Sequence, residues 1–194
     1  MRSLGRKTGE ELLGSGSWLT LKKLAYLDHA GHGRHWECVE RKRCNGAVAM
    51  LAVLQPSRRL VIVRQYRPPL DAFVLEFPAG LIDCGENPEQ TAVRELWEET
   101  GYRGVVKKIL PPVCNSPGLT GEAVHLAIID VDERLPENDN PHPHCEASED
   151  ISVQLVELGQ VPQFLAEAQR NGDMLDAKLA SFALAMRFES GLDD

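Results

Sequence analysis

Apolar positions along this chain change period part-way through. Between residues 46 and 77 they come in short, nearly continuous runs, GAVAMLAVL (46–54), RLVIVRQY (59–66) and AFVLEF (72–77), separated by polar turns. Apolar runs of this length predict strands, and helices further along can cover both faces of their sheet. From residue 88 the period turns helical. Over 88–100, Ala92, Val93, Leu96 and Trp97 form one apolar face at about 100° per residue. Asn87 stands as N-cap, Pro88 at the first helical position, Gln90 at the capping-box position, and Gly101 as the stop. Further strands are predicted at 105–110, 123–131 and 151–157, then helices over 161–170 and 174–190 divided by Asn171-Gly172. In the last helix Leu175, Leu179, Phe182, Ala183 and Met186 recur at three- and four-residue spacing, with Asp173 available as a cap, so that stripe reads as core.

Two stretches depart from this pattern. Residues 17–26 (SWLTLKKLAY) and 34–42 (RHWECVERK) flank the turn Asp28-His29-Ala30-Gly31-His32-Gly33 and predict an N-terminal hairpin. Its apolar positions are too few for a core of its own, so it must pack on something else. Residues 133–150 (ERLPENDNPHPHCEASED) are acidic, rich in proline and nearly free of large apolar groups, which predicts a long loop of the kind that often acts as a lid. Within it, the contiguous His142, His144 and Cys145 cannot easily share one tetrahedral metal centre, so they read as loop. Strands feeding a helix, then strands and two more helices, make an α/β chain with helices on both faces of a sheet. No internal repeat is visible. At 194 residues there is room for one full core and a small extra module.

Composition narrows the function. A net charge of −8 without any basic run argues against DNA or RNA as a partner. No run approaches the roughly 18 apolar residues of a membrane span, and residues 1–16 hold no apolar leader segment, so no membrane and a cytoplasmic location are expected. The five cysteines, Cys38, Cys44, Cys84, Cys114 and Cys145, are odd in number and form no CxxC, which predicts reduced thiols.

The helix over 88–100 carries Glu95, Glu98 and Glu99 together, opposite its apolar face. Like charges three and four apart repel, and anions near a helix C-terminus oppose its dipole, each costing some tenths of a kcal/mol. A purely structural helix gains nothing from this. Hard oxygen ligands so clustered suit Mg²⁺ or Mn²⁺, which take one or two carboxylates, waters and phosphate oxygens of a substrate. A glutamate-rich helix alone would still read as a solvated face. What overturns that is the spacing: Gly80, five residues, Glu86, seven residues, Arg94-Glu95-Leu96, one residue, Glu98-Glu99, one residue, Gly101. This pattern resembles the signature of the Nudix hydrolases, enzymes that cut a diphosphate linking a nucleoside to another group. The resemblance implies a Nudix-type α/β/α sandwich with a mixed sheet, plus the antiparallel N-terminal subdomain. It implies Glu95, Glu98 and Glu99 as metal ligands with the carbonyl of Ala79, Glu86 assisting, and Arg94 as the ion-pair partner of the carboxylates. Arginine's rigid fork orients a carboxylate better than lysine could.

Flanking residues narrow the resemblance further. Pro117, in Asn115-Ser116-Pro117-Gly118, lies 16 residues past Gly101, and Arg67-Pro68-Pro69 precedes Glu76-Phe77-Pro78-Ala79-Gly80. Both placements are similar to those of ADP-ribose pyrophosphatases, and GSGSWLTL with HWECVER looks like the N-terminal strands through which nucleoside-sugar pyrophosphatases dimerise. The resemblance then implies a homodimer in which residues 1–44 serve dimerisation and substrate binding and 45–194 form the hydrolase domain. Trp18 and Trp36 would stack on adenine, Arg41 and Arg67 would face the diphosphate or terminal ribose, and Gly80 and Ser116 would touch substrate. Stacking a base on an aromatic ring is worth about 1–3 kcal/mol, and arginine binds phosphate bidentately. The general base would be a glutamate in CEASEDISVQL, Glu149 by its Glu-Asp-Ile-x-Val context, with Glu146 and the helix residues Glu98 and Glu99 as alternatives. The expected reaction is Mg²⁺-dependent hydrolysis of ADP-ribose to AMP and ribose 5-phosphate, with Mn²⁺ a possible substitute. A UDP- or GDP-sugar pyrophosphatase is the alternative enzyme, and a non-catalytic reader of ADP-ribose the alternative from another class. A reader has no need to keep three mutually repelling glutamates.

Overall fold

A computed structural model describes residues 5–145 and 150–189. In chain order they form strands β1 (Arg6–Ser15), β2 (Leu19–Leu27), β3 (Gly33–Arg41), β4 (Ala47–Gln55), β5 (Arg59–Arg67), β6 (Ala72–Glu76) and β7 (Ala79–Leu81), then helix α1 (Pro88–Thr100). Strands β8 (Val105–Ile109), β9 (Val113–Cys114), β10 (Ala123–Asp132) and β11 (Ile151–Glu157), helix α2 (Val161–Arg170), the short strand β12 (Met174–Leu175) and helix α3 (Ala177–Glu189) follow. Strands β4 to β12 make a mixed sheet in the order β12-β6-β5-β4-β10-β8, parallel where β10 meets β4 and β12 meets β6, antiparallel elsewhere.

The apolar run in β4 is covered on both faces. Val48, Met50, Ala52 and Leu54 face one core with Ala92 and Leu96 of α1, while Ala47, Ala49 and Val53 face the other with Leu165 of α2 and Leu179 and Ala183 of α3. Three layers result, helix on sheet on helices, as expected. Each fully buried Leu, Ile or Val contributes about 1.5–3 kcal/mol, so this strand is the centre of the fold.

The site is positioned by a split in the sheet. Strands β4 and β5 pair only at Val53↔Leu60 and then diverge. Residues 72–81 enter the gap, pairing first with β5 as β6 and then with β4 as β7. Pro78 bridges the two, its carbonyl accepting from the Met50 N–H at 2.8 Å. The wedge delivers Ala79 and Gly80 to the flank of α1.

Several expectations are corrected. The N-terminal unit is a three-stranded sheet, because Arg6–Ser15 adds an edge strand that the hairpin reading lacked. That strand has almost no apolar pattern and two register shifts; cross-strand pairs hold it, Lys22 to Glu10 at 3.0 Å and Lys23 to Glu11 at 3.8 Å. The last helix begins at Ala177, since Met174-Leu175 are drawn into parallel pairing with Val74-Leu75 of β6. Its cap is Asp176, whose carboxylate accepts from the Lys178 and Leu179 N–H groups at 2.9 and 3.3 Å. Asp173 instead takes the Arg64 guanidinium in a forked pair at 2.7–3.0 Å. Trp97 is not a core residue but half-buried beside Arg103 and His144.

Candidate active site

Helix α1 has the boundaries its sequence specifies. The Asn87 side chain accepts from the Gln90 N–H at 2.9 Å, the Gln90 side chain accepts from the Asn87 N–H at 3.0 Å, and Gly101 closes the helix at φ 77°. The three helix carboxylates spread over an arc rather than one patch. Glu99 turns inward, 4% exposed, and accepts from the Ala79 N–H at 3.0 Å. Glu95 lies across Gly80, where a Cβ would overlap its carboxylate, so only glycine lets this glutamate approach the β7 backbone. Glu98 faces outward and is the most exposed of the set.

Arg94 joins these groups. Its Nε and Nη2 donate to the two oxygens of Glu86 at 2.8 Å each, and its Nη1 donates to Glu95 at 2.7 Å and Glu98 at 3.0 Å. Nη2 also reaches the Leu81 carbonyl at 3.3 Å. The forked pair with Arg94 holds the Glu86 carboxyl down at about 2, against an ordinary value of 4.5, with the Thr91 hydroxyl adding to the effect. In turn the Glu86 bond, reinforced by Glu95 and Glu98, raises Arg94 further above its already high value. One guanidinium thus offsets much of the repulsion among three carboxylates.

A second cluster forms where β3 meets the loop after β9. The Trp36 indole N–H donates to the Gly118 carbonyl at 2.9 Å, the Val39 N–H to the Leu119 carbonyl at 2.9 Å, and Arg41 Nε to Glu122 at 2.9 Å. The Ser116 carbonyl accepts from Leu119 and Thr120, which sets the turn of this loop. Trp36, Arg41 and Ser116 therefore share one junction, beside a cavity of about 310 Å³ lined by Arg41, Thr120 and Glu122. Arg67 is separate, forked onto Glu76 at 2.6 and 2.9 Å and within electrostatic reach of Glu99.

Trp18 does not join them. It sits at the β1–β2 turn, 77% exposed, its carbonyl accepting from the Lys42 N–H. Trp36 lies six residues along β3 from Lys42, which faces Trp18, so the two backbones are offset by about 20 Å along the strands. Two rings sandwiching a base stand about 7 Å apart, twice a carbon contact distance.

A NUDIX domain model matches residues 45–177. The chain belongs to the Nudix hydrolases. It is 35% identical to the ADP-sugar pyrophosphatase of Mus musculus over 188 residues, 93% of this chain and 86% of that protein. It is 36% identical to the ADP-ribose pyrophosphatase of Saccharomyces cerevisiae over 174 residues, 86% of this chain and 75% of that one. A solved ADP compounds hydrolase superposes with a TM-score of 0.68 over 97% of this chain and 95% of its own, at 18% identity, a likeness of fold.

Nudix hydrolases generally use divalent cations, and the donor chemistry here suits one. Glutamate oxygens converge beside a backbone held open by Gly80, in a place a Cβ would fill. With Glu95 and Glu98 both turned onto Arg94, no three His, Cys, Asp or Glu groups among the described residues stand in a metal-holding arrangement. A cation here would compete with Arg94 for those two side chains. Glu146 and Glu149 lie outside the described residues.

Sequence reasoning missed the residues around the end of α1. The Trp97 ring carries the His144 imidazole at 4.1 Å and the Arg103 guanidinium at 4.3 Å, and it lines a groove of about 750 Å³ with Val93, Arg94, Glu98 and Arg103. Asn138, 4% exposed, accepts from the Arg103 N–H at 2.7 Å and donates to the Arg103 and Asp132 carbonyls at 2.9 Å each. Two asparagines, Asn138 and Asn140, lie between Pro136 and Pro141, and no local pattern singles out the one that satisfies Arg103.

Proposed function

We propose that this Nudix hydrolase cleaves the diphosphate of ADP-ribose, giving AMP and ribose 5-phosphate, with Mg²⁺ as the cation and Mn²⁺ as a substitute. The carrying observation is the carboxylate array in which Arg94 holds Glu86, Glu95 and Glu98 and the Ala79 N–H holds Glu99, all beside the Ala79–Gly80 backbone. It stands in a chain whose relatives over most of its length are named for ADP-ribose and ADP-sugars. Glu95, Glu98, Glu99 and the Ala79 carbonyl would hold the cation, which supplies charge neutralisation on the diphosphate and acidifies a bound water.

The remaining roles fall to the chain's own groups. Arg94 keeps Glu86 ionised and limits the repulsion among the carboxylates, and Glu95 and Glu98 turn from it to the cation when the site is loaded. Glu149 takes the proton from the attacking water, with Glu146, Glu98 and Glu99 as the alternatives. Arg41 and Arg67, each already oriented by a carboxylate, present donors to the diphosphate or the terminal ribose. Trp36 stacks on adenine beside Ser116 and Gly118. Trp18, offset from Trp36 along the strands, would reach the base of a second copy, which makes the homodimer part of the pocket. Residues 1–44 form this dimerising, substrate-binding unit and 45–194 the hydrolase domain. The free cysteines support a cytoplasmic enzyme, and the net charge of −8 offers no attraction for nucleic acid or an anionic membrane surface.

The mouse relative's name favours a second reading on the same site, in which adenine is fixed and the sugar varies. Products from ADP-ribose, other ADP-sugars, a UDP-sugar and a GDP-sugar, resolved by mass spectrometry in ¹⁸O water, test both. AMP formation confined to adenine substrates and dependent on Mg²⁺ is expected. Equal turnover of the UDP-sugar would overturn the adenine pocket.

A further inference from the structure

The last turn of α1 is an unfavourable place for Glu98 and Glu99. Both carboxylates lie where unpaired carbonyls already make the helix end negative, and Trp97-Glu98-Glu99-Thr100 contains no basic residue. We propose that His142–Cys145 is a strap that positions this turn, fixing where Glu98 and Glu99 stand, with Gly101, Trp97 and Asn138 as its anchor points. The proposal rests on the reading of these glutamates as cation ligands.

Three independent contacts carry it. The His144 N–H donates to the Glu98 carbonyl at 2.6 Å, with the Cys145 thiol 3.8 Å from the same oxygen. The neighbouring carbonyls are satisfied within the helix end, that of Trp97 by the Gly101 N–H at 2.8 Å and that of Leu96 by the Thr100 hydroxyl. The carbonyl of a ligand-bearing residue is therefore the one that the strap caps. At Gly101, with φ 77°, a Cβ would overlap the backbone N, C and O of His142, so the helix stop is also a seat for the strap. The His144 imidazole stacks on Trp97, the residue before Glu98, at an interplanar angle of 27°. Upstream, Asn138 binds both backbone polar groups of Arg103, whose guanidinium covers the same indole.

A strap of this kind does the work of an outer contact shell: it touches no substrate but restricts the ligands that do. Removing such a shell typically weakens metal affinity or activity about 10–100-fold. Trp97→Ala, His144→Ala and the conservative Trp97→Phe provide the test. Mn²⁺ affinity is measured without substrate by the electron paramagnetic resonance of free Mn²⁺, and amide exchange is followed at His144 and Gly101. Both alanine variants should bind Mn²⁺ about tenfold more weakly, exchange these amides faster, and lose kcat while the KM for ADP-ribose holds. Trp97→Phe should restore all three. Unchanged Mn²⁺ affinity in folded alanine variants would overturn the strap, as would failure of the wild type to bind Mn²⁺ at all. If Trp97→Ala does not fold, His144→Ala set against Trp97→Phe decides. A wild type that binds Mn²⁺ yet leaves ADP-ribose intact sinks the substrate reading alone, and the Mn²⁺ affinities still judge the strap.

Discussion

The flank of α1 and the N-terminal sheet handle their polar and apolar groups in opposite ways. Beside α1, three carboxylates are gathered at one arginine, a buried fourth has a backbone donor, and the strand behind is enclosed on both faces. In the N-terminal sheet, Leu12, Trp18, Leu19, Leu21 and Trp36 stand exposed, and solvated ion pairs brace the edge strand. Exposed pairs of that kind contribute little, with a median near 0–1 kcal/mol. The first region is complete within one chain and can be read from it. The second leaves large apolar groups uncovered, and the proposed homodimer would cover them.

The largest effects are expected at the carboxylates. Glu98→Gln or Glu99→Gln keeps shape while removing ligand charge, so kcat should fall at least about a hundredfold. Circular dichroism and thermal melts should show the fold retained, since one repelling charge is gone. Chelation with EDTA should abolish turnover outright, and Mg²⁺ should restore it. Near wild-type turnover in both variants would mean that the completed region is structural after all.

Next in size is the proton acceptor. Glu149→Gln should lower kcat by about 10²–10⁴ with KM little changed. Glu146→Gln is the control. A crippled control with an intact Glu149 variant would move the base by three residues, and two active variants would move it onto α1.

At the unfinished surface the expected effects are on binding. Trp36→Ala should raise the KM for ADP-ribose about 5–150-fold, the loss of one stacked base at about 1–3 kcal/mol. Removing residues 1–44 should abolish both dimerisation and affinity, checked by light scattering and calorimetry. A fully active monomer at assay concentration would separate Trp18 from the pocket.

The two regions also differ in how legible they were. The caps of α1, the double burial of β4 and the crowding at Arg94 follow from local spacing, because each depends on residues within about two helical turns or along one strand. The edge strand Arg6–Ser15 was illegible because its pairing rests on register with β2 and on charges rather than on periodicity. Met174-Leu175 read as the start of a helix because their parallel partner lies a hundred residues away in β6. The residues at 133–145 read as a free loop because Asn138, His142 and His144 find their partners only once α1 has ended where it does. The separation of the two tryptophans needed the β2–β3 register, which no local pattern states.

The smallest predicted effect contrasts one carboxylate from each region in acid. Arg94, then Thr91, lowers Glu86 to about 2 from 4.5. Lys7 and then Lys22 lower Glu10 on the exposed edge strand. A carboxyl depressed by folding binds its proton less readily in the native state, so its stabilisation is fully present above the unfolded value and is lost as pH falls through the folded one. For Glu86 that window runs from about 4.5 down to about 2. Glu86→Gln should therefore flatten the decline of Tm across this range by a few degrees, with little dependence on added salt, because Arg94 and Glu86 are both largely shielded from solvent. Glu10→Gln should change Tm less, and its effect should fade as ionic strength rises, as for any solvated pair. Thermal melts at pH 2 to 6 with low and high salt measure both. Equal salt sensitivity in the two variants would place the Arg94 cluster on the surface with the edge-strand pairs and remove the electrostatic half of the contrast.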